Sequence, residues 1–284
     1  EASEDVAVAT PAPSVGESEA SWTDGDLAVS WDTASAASST GGAGPTPAEA
    51  AEGVDVLLLC VSDNAAVEAV LFGANGASDQ LAAGSVVVDC STIAPATAIA
   101  SAQRLAQRGV DYLDAPVTGG TEGAKASSLT VLVGGEQAAL ERARPVLEII
   151  GGSIHHFGAV GRGQQVKAVN QVLVAGSYAA VAEAIALGQH LQLPMQQVVD
   201  ALRNGAAGSW ALEHRSNAML SDHYPLGFKL ALHHKDLGIA LHAAAEAGLD
   251  LPITQAVQAQ EQTLMDAGLG DADVSALRRH LPRV

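Results

Sequence analysis

From about residue 53 the chain alternates between short apolar runs and segments in which apolar residues recur at helical spacing. The apolar runs have the length of strands and lack polar alternation, as in parallel strands buried on both faces. They are Val54–Val61, Ser85–Cys90, Val110–Leu113, Leu129–Val133 and Ser153–Phe157. Helical segments are predicted between them at Val67–Leu71, Pro95–Arg108 and Glu136–Ile150. Strands that alternate with helices predict a doubly wound parallel sheet with right-handed crossovers.

After Gly163 the pattern changes to helices alone. Gln164–Leu191 contains no proline and predicts a helix of about seven turns. Further helices are predicted at Met195–Arg203, Phe228–Gly248 and Ile253–Met265, and no second set of strands follows. The sequence therefore predicts an α/β fold with two domains: residues 1–161 form the sheet domain, and residues 162–284 form an all-α domain joined to it by the long helix.

The first fifty residues do not follow the pattern expected of such a sheet domain. Val6–Val8 has the character of an opening strand, but Ala9–Pro13 contains two prolines and no glycine, and Gly16 stands alone. Residues 1–50 contain nine carboxylates and no Lys or Arg. A pyrophosphate group would be repelled there, because it requires glycine-rich backbone and N–H donors. The segment is interpreted as poorly ordered loop.

Composition and charge narrow the class of protein. The net charge of −18 provides no basic surface for nucleic acid and opposes binding to an anionic membrane. No stretch reaches the length of uncharged apolar sequence that a membrane helix requires, and the first residues have no basic and apolar segments typical of a secretory signal. Cys60 and Cys90 lie in predicted strands and are expected to be buried thiols, which favours a reducing, cytoplasmic location.

Two groups of polar residues follow predicted strands. The first is Asp89-Cys90-Ser91-Thr92, and the second is Asp114–Gly120, with the sequence DAPVTGG. Ligands of open α/β sheets bind beyond the carboxyl ends of the strands, so hydroxyls at these positions can face a ligand. Adjacent glycines can present backbone N–H groups to an anion such as a carboxylate. Taken alone, the first group is more typical of a helix cap and the second of a turn.

Two further groups lie on predicted helices. Lys167, Asn170 and Gln171 share one face of the first turns of the long helix, which is otherwise largely apolar. The chain has only four lysines, at 125, 167, 229 and 235, and this scarcity disfavours the interpretation of Lys167 as a surface lysine. Lys235 lies in the fourth group, His233-His234-Lys235-Asp236-Leu237. Adjacent histidines diverge around a helix and no third ligand is evident, so no metal site is predicted.

Together and in this order, the DCST, DAPVTGG, GxGxxxKxxNQ and KDL blocks resemble the β-hydroxyacid dehydrogenase family, which includes 3-hydroxyisobutyrate dehydrogenases and tartronate semialdehyde reductases and is related to 6-phosphogluconate dehydrogenase. The resemblance covers about residues 47 to 268. It implies a Rossmann-type domain, a long connecting helix and a helical domain that completes a homodimer or homotetramer. It also implies hydride transfer between NAD(P) and a small 3-hydroxy acid or its semialdehyde.

The resemblance assigns roles to particular residues. Lys167 matches the catalytic lysine and Asn170 a substrate-side amide, while the loop that holds the substrate carboxylate matches Thr118, Gly119 and Gly120. Ser209 and Trp210 match a further substrate contact. Positions that line the cofactor match Val61, Ser62, Asp63, Thr92 and Lys235. Asp32 falls where the second strand of the family ends, where an acidic residue binds the ribose 2′-hydroxyl and favours NAD over NADP.

The glycine-rich turn of the family should lie near residues 9–16 and is missing. Three explanations are open: a diverged domain that binds cofactor weakly, an incorrect residue assignment in this stretch, or loss of activity. The mass of the intact protein distinguishes the second explanation from the others. The predicted function is hydroxyacid dehydrogenase with Lys167 as general acid and base. The alternatives are an imine reductase of the same fold, whose members usually lack the lysine, and a non-catalytic scaffold that binds a dinucleotide or an acid.

Overall fold

The computed structural model describes residues 6–9, 37–38 and 46–283. The chain divides into two compact units. Unit 1 comprises the described residues up to Gly119 together with Gly123–Lys167, and unit 2 comprises Gly120–Glu122 together with Ala168 onwards. The domain boundary predicted between residues 161 and 162 stays a prediction.

Unit 1 contains a five-stranded sheet in the order β2-β1-β3-β4-β5. All neighbours are parallel except β2, which pairs antiparallel with β1. The strands are β1 (Val6–Ala9), β2 (Ala37–Ser38), β3 (Val56–Leu59), β4 (Val86–Asp89) and β5 (Asp111–Asp114). Every residue of β3 and β4 is buried. Their continuous apolar sequence is explained by this burial, since helices cover both faces of a parallel sheet.

The later strands of unit 1 form a second, three-stranded sheet in the order β6-β7-β8. These strands are β6 (Val117–Thr118), β7 (Leu129–Val133) and β8 (Gly151–His156). β6 is antiparallel to β7, whereas β8 is parallel to it. An isolated bridge between Asp114 and Gly134 connects the end of β5 to the end of β7. The alternating pattern predicted β7 and β8 as strands but not their separation from the first sheet.

Five helices accompany these sheets: α1 (Pro47–Ala50), α2 (Asn64–Phe72), α3 (Pro95–Ala106), α4 (Gly120–Lys125) and α5 (Gln137–Ile150). Ala77–Asp79 forms a short 3₁₀ turn. Two apolar clusters build the core of unit 1, one centred on Leu57, Leu59 and Leu105 and the other on Val88, Leu113 and Leu147. The doubly wound α/β domain predicted from the sequence is confirmed.

Unit 2 is helical. Helix α6 (Arg162–His190) begins in unit 1 and runs on into unit 2, followed by α7 (Met195–Leu202), α8 (Trp210–Ser221), α9 (Leu230–Glu246) and α10 (Pro252–Asp266). A 3₁₀ turn at Val274–His280 closes the unit. The sequence pattern did not predict α8. Its apolar and polar residues are not segregated to two faces, so it carries no clear helical period.

Helix α6 is long and apolar enough to cross a membrane by length and composition alone. In the structure 44% of its most apolar 18-residue window is buried against the rest of the protein. The core helix of a soluble protein has the same properties. In unit 2 its buried residues, such as Ala175, Tyr178 and Ile185, belong to the apolar cluster at the centre of the helices.

Candidate active site

In unit 1 the first turn of α6 is fixed by a buried carboxylate at the end of β5. Asp114 is fully buried, and its two oxygens accept the backbone N–H groups of Gly161 at 2.7 Å and Gln164 at 2.8 Å. Burial raises the pKa of this carboxyl to about 6, although these same backbone hydrogen bonds lower it. The sequence analysis placed Asp114 in a ligand-facing group, whereas the structure uses it as the anchor of the helix.

Gln164 fixes the same turn to the end of β4. Its side-chain amide donates to the carbonyl of Ser91 at 2.8 Å and accepts from the backbone N–H of Ile93 at 3.1 Å. The residue enclosed by these two contacts is Thr92, which is half-buried. Helix α3 begins at Pro95, and its N-cap Ala94 makes no side-chain capping bond. The alternative interpretation of Ser91 and Thr92 as a helix cap is therefore wrong.

Gly163 allows the helix to approach this closely. A Cβ atom at this position would stand 2.2 Å from the carbonyl oxygen of Leu132 and 2.7 Å from that of Asp114. Contacts this short do not occur for real side chains, so the position accepts only glycine. The GxGxxxK block thus includes a packing requirement in addition to any role in binding.

Lys167 follows one turn later and lies within unit 1. Its side chain is 8% exposed, and Nζ donates to the carbonyl of Val117 at 2.8 Å. Val117 immediately precedes Thr118 in β6, at the start of the predicted carboxylate loop. The amine therefore lies beside this loop rather than in bulk solvent.

The loop itself has the backbone that the sequence suggested. Gly119 and Gly120 have φ values of +132° and +65°, a region that other residues rarely adopt. Both glycines are exposed and Thr118 is half-buried. In unit 2, Glu122 accepts a hydrogen bond from Nη2 of Arg215 at 2.7 Å. Partial burial raises the pKa of Glu122, but this bond and the charge of Arg215 outweigh it and lower the pKa.

The residues predicted to line a cofactor in unit 1 lie at the carboxyl ends of β3 and β4. The backbone N–H of Val61 donates to the hydroxyl of Ser91 at 2.8 Å, which joins the two strand ends. Ser62 is exposed, and Asp63 caps α2 by accepting from the N–H of Ala66 at 2.9 Å. Strand β3 pairs with β1, where the strand order reverses, which is where open α/β sheets bind ligands.

This set of groups fits part of a dinucleotide. Hydroxyls, a carboxylate and backbone amides suit the ribose and carboxamide groups of a nicotinamide nucleotide, which have neutral donors and acceptors. The pyrophosphate requires the turn near residues 9–16, of which only Ala9 is among the described residues. Asp32 and the interpretation of residues 10–36 as poorly ordered loop also lie outside the described residues.

In unit 2 a chain of polar side chains connects α6 to α9. Nδ2 of Asn170 donates to Gln171 at 2.8 Å, and Nε2 of Gln171 donates to Asp236 at 2.7 Å. The other carboxylate oxygen of Asp236 pairs with Nζ of Lys235 at 2.9 Å. Asn170 and Lys235 were predicted as site residues, whereas the buried Gln171 and Asp236 that join them were named in the same groups but given no role. Their signal was a polar residue on an otherwise apolar helix face.

Ser209 and Trp210 open α8. The hydroxyl of Ser209 caps the helix by accepting from the N–H of Leu212 at 3.1 Å. The Trp210 ring is 43% exposed, stacks on His214 with ring centroids 4.6 Å apart, and lies 4.5 Å from the guanidinium carbon of Arg215. The indole therefore presents an accessible, preorganised apolar surface, whereas the hydroxyl of Ser209 is already used in capping.

Two other predictions concern cysteines and metals. Cys60 and Cys90 are free thiols, as predicted, but only Cys90 is buried and Cys60 is half-buried. Desolvation raises the pKa of Cys60 to about 12. Within the described ranges, no three His, Cys, Asp or Glu side chains are placed to hold a metal ion. His233 instead pairs with Glu261 at 2.6 Å, and both side chains are fully buried.

Two family models cover most of the chain. Residues 29–158 match the NAD binding domain of 6-phosphogluconate dehydrogenase, and residues 161–281 match the NAD-binding domain of NADP-dependent 3-hydroxyisobutyrate dehydrogenase. The first match begins after residues 9–16, where the glycine-rich turn is missing.

Individual proteins agree with these models. The chain is 38% identical to 2-hydroxy-3-oxopropionate reductase of Escherichia coli, over 82% of this chain and 80% of the relative. It is 36% identical to 2-(hydroxymethyl)glutarate dehydrogenase of Eubacterium barkeri, over 78% and 74%. The crystal structure of 3-hydroxyisobutyrate dehydrogenase from Salmonella typhimurium superposes with a TM-score of 0.78 at 31% identity, over 83% and 82% of the two chains.

An imine reductase from Myxococcus stipitatus has a TM-score of 0.53 at 20% identity, over 84% of each chain, which is a likeness of fold alone. The folds and the closer relatives together place the chain in a class, the Rossmann-type NAD(P)-dependent oxidoreductases. Within that class it belongs to the β-hydroxyacid dehydrogenase family.

Proposed function

We propose that this protein transfers a hydride between NAD(P) and a small 3-hydroxy acid or its semialdehyde, with Lys167 as the general acid and base. The observation that supports this most strongly is the buried amine of Lys167, which donates to the carbonyl of Val117 beside the Thr118–Gly120 loop. Membership of the family makes the chain an NAD(P)-dependent oxidoreductase, and the residue roles below are the proposal.

In the proposed mechanism the Thr118 hydroxyl and the N–H groups of Gly119 and Gly120 bind the substrate carboxylate. Asn170 orients the substrate, and the exposed face of Trp210 limits the size of its side chain. Lys167 gives a proton from Nζ to the carbonyl oxygen during reduction and takes it back from the hydroxyl during oxidation. The nicotinamide, when bound, supplies or accepts the hydride.

The cofactor would be held by Val61, Ser62, Asp63 and Thr92 at the strand ends and by Lys235. Asp32 supports NAD as the preferred cofactor, with NADP as the second choice. Titration of the protein with NADH and NADPH, followed by fluorescence, gives both dissociation constants. Tighter binding of NADPH would contradict the role proposed for Asp32.

Substitution of the lysine tests the mechanism. Lys167→Ala should reduce kcat by about 10²- to 10⁴-fold, the usual contribution of a positioned general acid and base, while the dissociation constant for NADH changes little. Lys125→Ala, which removes an exposed lysine on α4, is the matched control and should retain activity. Turnover by Lys167→Ala at the level of this control would exclude the lysine from the mechanism.

The substrate is tested with a panel of 3-hydroxy acids of three to five carbons, with NAD and NADP in parallel. A cyclic imine in the same assay separates the proposed activity from imine reduction. Oxidation of at least one hydroxy acid with no reduction of the imine is the expected result. Reduction of the imine alone would favour the alternative function.

A homo-oligomer is proposed from the surface of α6. Val169, Leu173, Leu187 and Leu191 lie on one side of this helix and its end, and each is 60% to 69% exposed. An apolar stripe of this length on an isolated chain is typical of a protein interface. Light scattering should give a dimer or tetramer mass, and Leu187→Glu should lower it; a monomeric wild-type protein would contradict the proposal.

We also propose a cytoplasmic location, in keeping with free thiols.

A further inference from the structure

Unit 2 contains a cavity of about 460 Å³ that includes none of the residues assigned to the reaction. Met195 and Met219 contribute to its apolar wall, and Gln189, Gln192, Arg278 and Arg283 form its polar wall. Cavities of 300 to 1,000 Å³ are the usual size for small organic ligands, so this one has room for a molecule with a short apolar body.

The guanidinium of Arg278 is the principal feature of this cavity. Its side chain is 1% exposed, and it donates to Gln189 Oε1 at 2.8 Å and to the carbonyls of Leu281 at 3.1 Å and Pro282 at 3.3 Å. All three acceptors are neutral. In the described part of the chain no carboxylate pairs with Arg278, and its Nε has no hydrogen-bond partner. A buried guanidinium that pairs directly with no carboxylate is costly, so an anionic ligand would stabilise it.

The carboxylate of Asp222 acts on Arg278 only through its charge, because it pairs directly with other arginines. Asp222 accepts from Nε of Arg279 at 2.8 Å and also pairs with Arg283. One carboxylate thus serves two other arginines, and two guanidinium groups, those of Arg278 and Arg283, line the cavity, whose lining includes no carboxylate among the described residues. The chain as a whole has a net charge of −18, so this local excess of positive charge is contrary to its general composition.

We propose that the cavity binds a small organic carboxylate with an unbranched apolar body. Arginine forms two parallel hydrogen bonds with a carboxylate, and the buried position of Arg278 strengthens them because water is excluded. Methionine side chains adapt to flexible apolar chains. Inorganic anions lack a group to fill the apolar wall. This site is separate from the proposed function and does not depend on it.

Calorimetric titration with sodium hexanoate tests the proposal, with hexanamide as a neutral probe of the same shape and sodium sulfate as an anion without an apolar body. Hexanoate should bind at least about ten-fold more tightly than either control. Only hexanoate has both a carboxylate for Arg278 and an apolar body for the methionine side chains. Equal affinity for hexanoate and hexanamide would overturn the proposal, as would the absence of hexanoate binding.

Variants at Gln192 locate the site without disturbing the contacts of Arg278. Gln192 is exposed at the cavity, where Gln192→Glu adds a negative charge and Gln192→Lys a positive charge of similar size. The first should weaken hexanoate binding and the second strengthen it, each by about three- to ten-fold for a partly screened charge. Equal affinities in the two variants would place hexanoate elsewhere, including the substrate loop, and overturn the assignment.

The oligomeric mass of the two variants tests a different occupant. A change of mass in Gln192→Glu, together with no binding of hexanoate, would mean that a second copy of the chain fills the cavity and would also overturn the assignment.

Discussion

Two buried charges lie near opposite ends of α6, and their surroundings differ. Asp114 has both oxygens occupied by backbone N–H groups at the first turn of the helix, whereas Arg278 is held through Gln189 and carbonyl oxygens. The N-terminus of a helix carries partial positive charge, so its amides compensate a carboxylate without any cation. The neutral oxygens around Arg278 provide hydrogen bonds but less compensation of charge. The difference teaches that hydrogen bonding and electrostatic balance are separate requirements.

The largest effect on stability is expected at Gly163, where the first turn of α6 packs closely against main-chain atoms of unit 1. Gly163→Ala should reduce the free energy of unfolding by about 3 kcal/mol or more, because the new Cβ would overlap the carbonyl oxygens of Leu132 and Asp114. Urea denaturation measures the loss. Gly176→Ala is the matched control, since no atom lies within 4 Å of a Cβ there. It should leave stability unchanged or raise it by about 1 kcal/mol. Equal losses in the two variants would refute the packing argument.

The second effect concerns pH at Asp114. Because burial raises its pKa from 3.8 to about 6, the folded state binds this proton more tightly than the unfolded chain. Ionisation therefore lowers stability as the pH rises from about 4 to about 6. The free energy of unfolding of the wild type, relative to Asp114→Asn, should fall by about 2 to 3 kcal/mol at most across this window. Denaturation at a series of pH values measures it, and a difference that rises with pH would reverse the assignment.

The smallest effect on stability is expected at Gln189, which accepts a hydrogen bond from Arg278. Gln189→Leu removes one acceptor of Arg278 and should cost about 1 to 2 kcal/mol, since a buried donor loses its partner. Gln165→Leu, which removes an exposed contact with Arg162, is the control and should cost less than about 0.5 kcal/mol. If the two substitutions have equal effects on urea denaturation, Gln189 has no special role in holding the guanidinium.

The architecture was predictable because strands and helices leave different apolar patterns. A strand that is buried on both faces has a continuous apolar sequence, whereas a helix that is buried on one face has apolar residues at helical spacing. Strands β3, β4 and β7 and helices α5, α6 and α10 have bounds within two residues of those predicted. The division of the strands into two sheets could not be predicted, because strand pairing depends on contacts between residues that are distant in the sequence. Helix α8 was not predicted because its polar residues are spread around the helix.

The candidate site was predictable to a similar degree. The scarcity of lysine drew attention to Lys167, and the paired glycines suggested a loop at Gly119 and Gly120 that presents N–H groups to an anion. The roles of Asp114 and Gln164 were not visible, because their partners are backbone groups 47 to 73 residues away. A sequence records side chains, whereas these contacts depend on where the fold places main-chain atoms.

The contact of Lys167 with residue 117 has a consequence for how related enzymes can diversify. Its acceptor is a main-chain oxygen, which every amino acid possesses, so replacement of the valine side chain leaves the acceptor in place. The side chain at position 117 can therefore change in size and polarity over evolutionary time while the amine keeps the same acceptor. If Lys167 has the role proposed above, changes at this position leave the position of its amine intact.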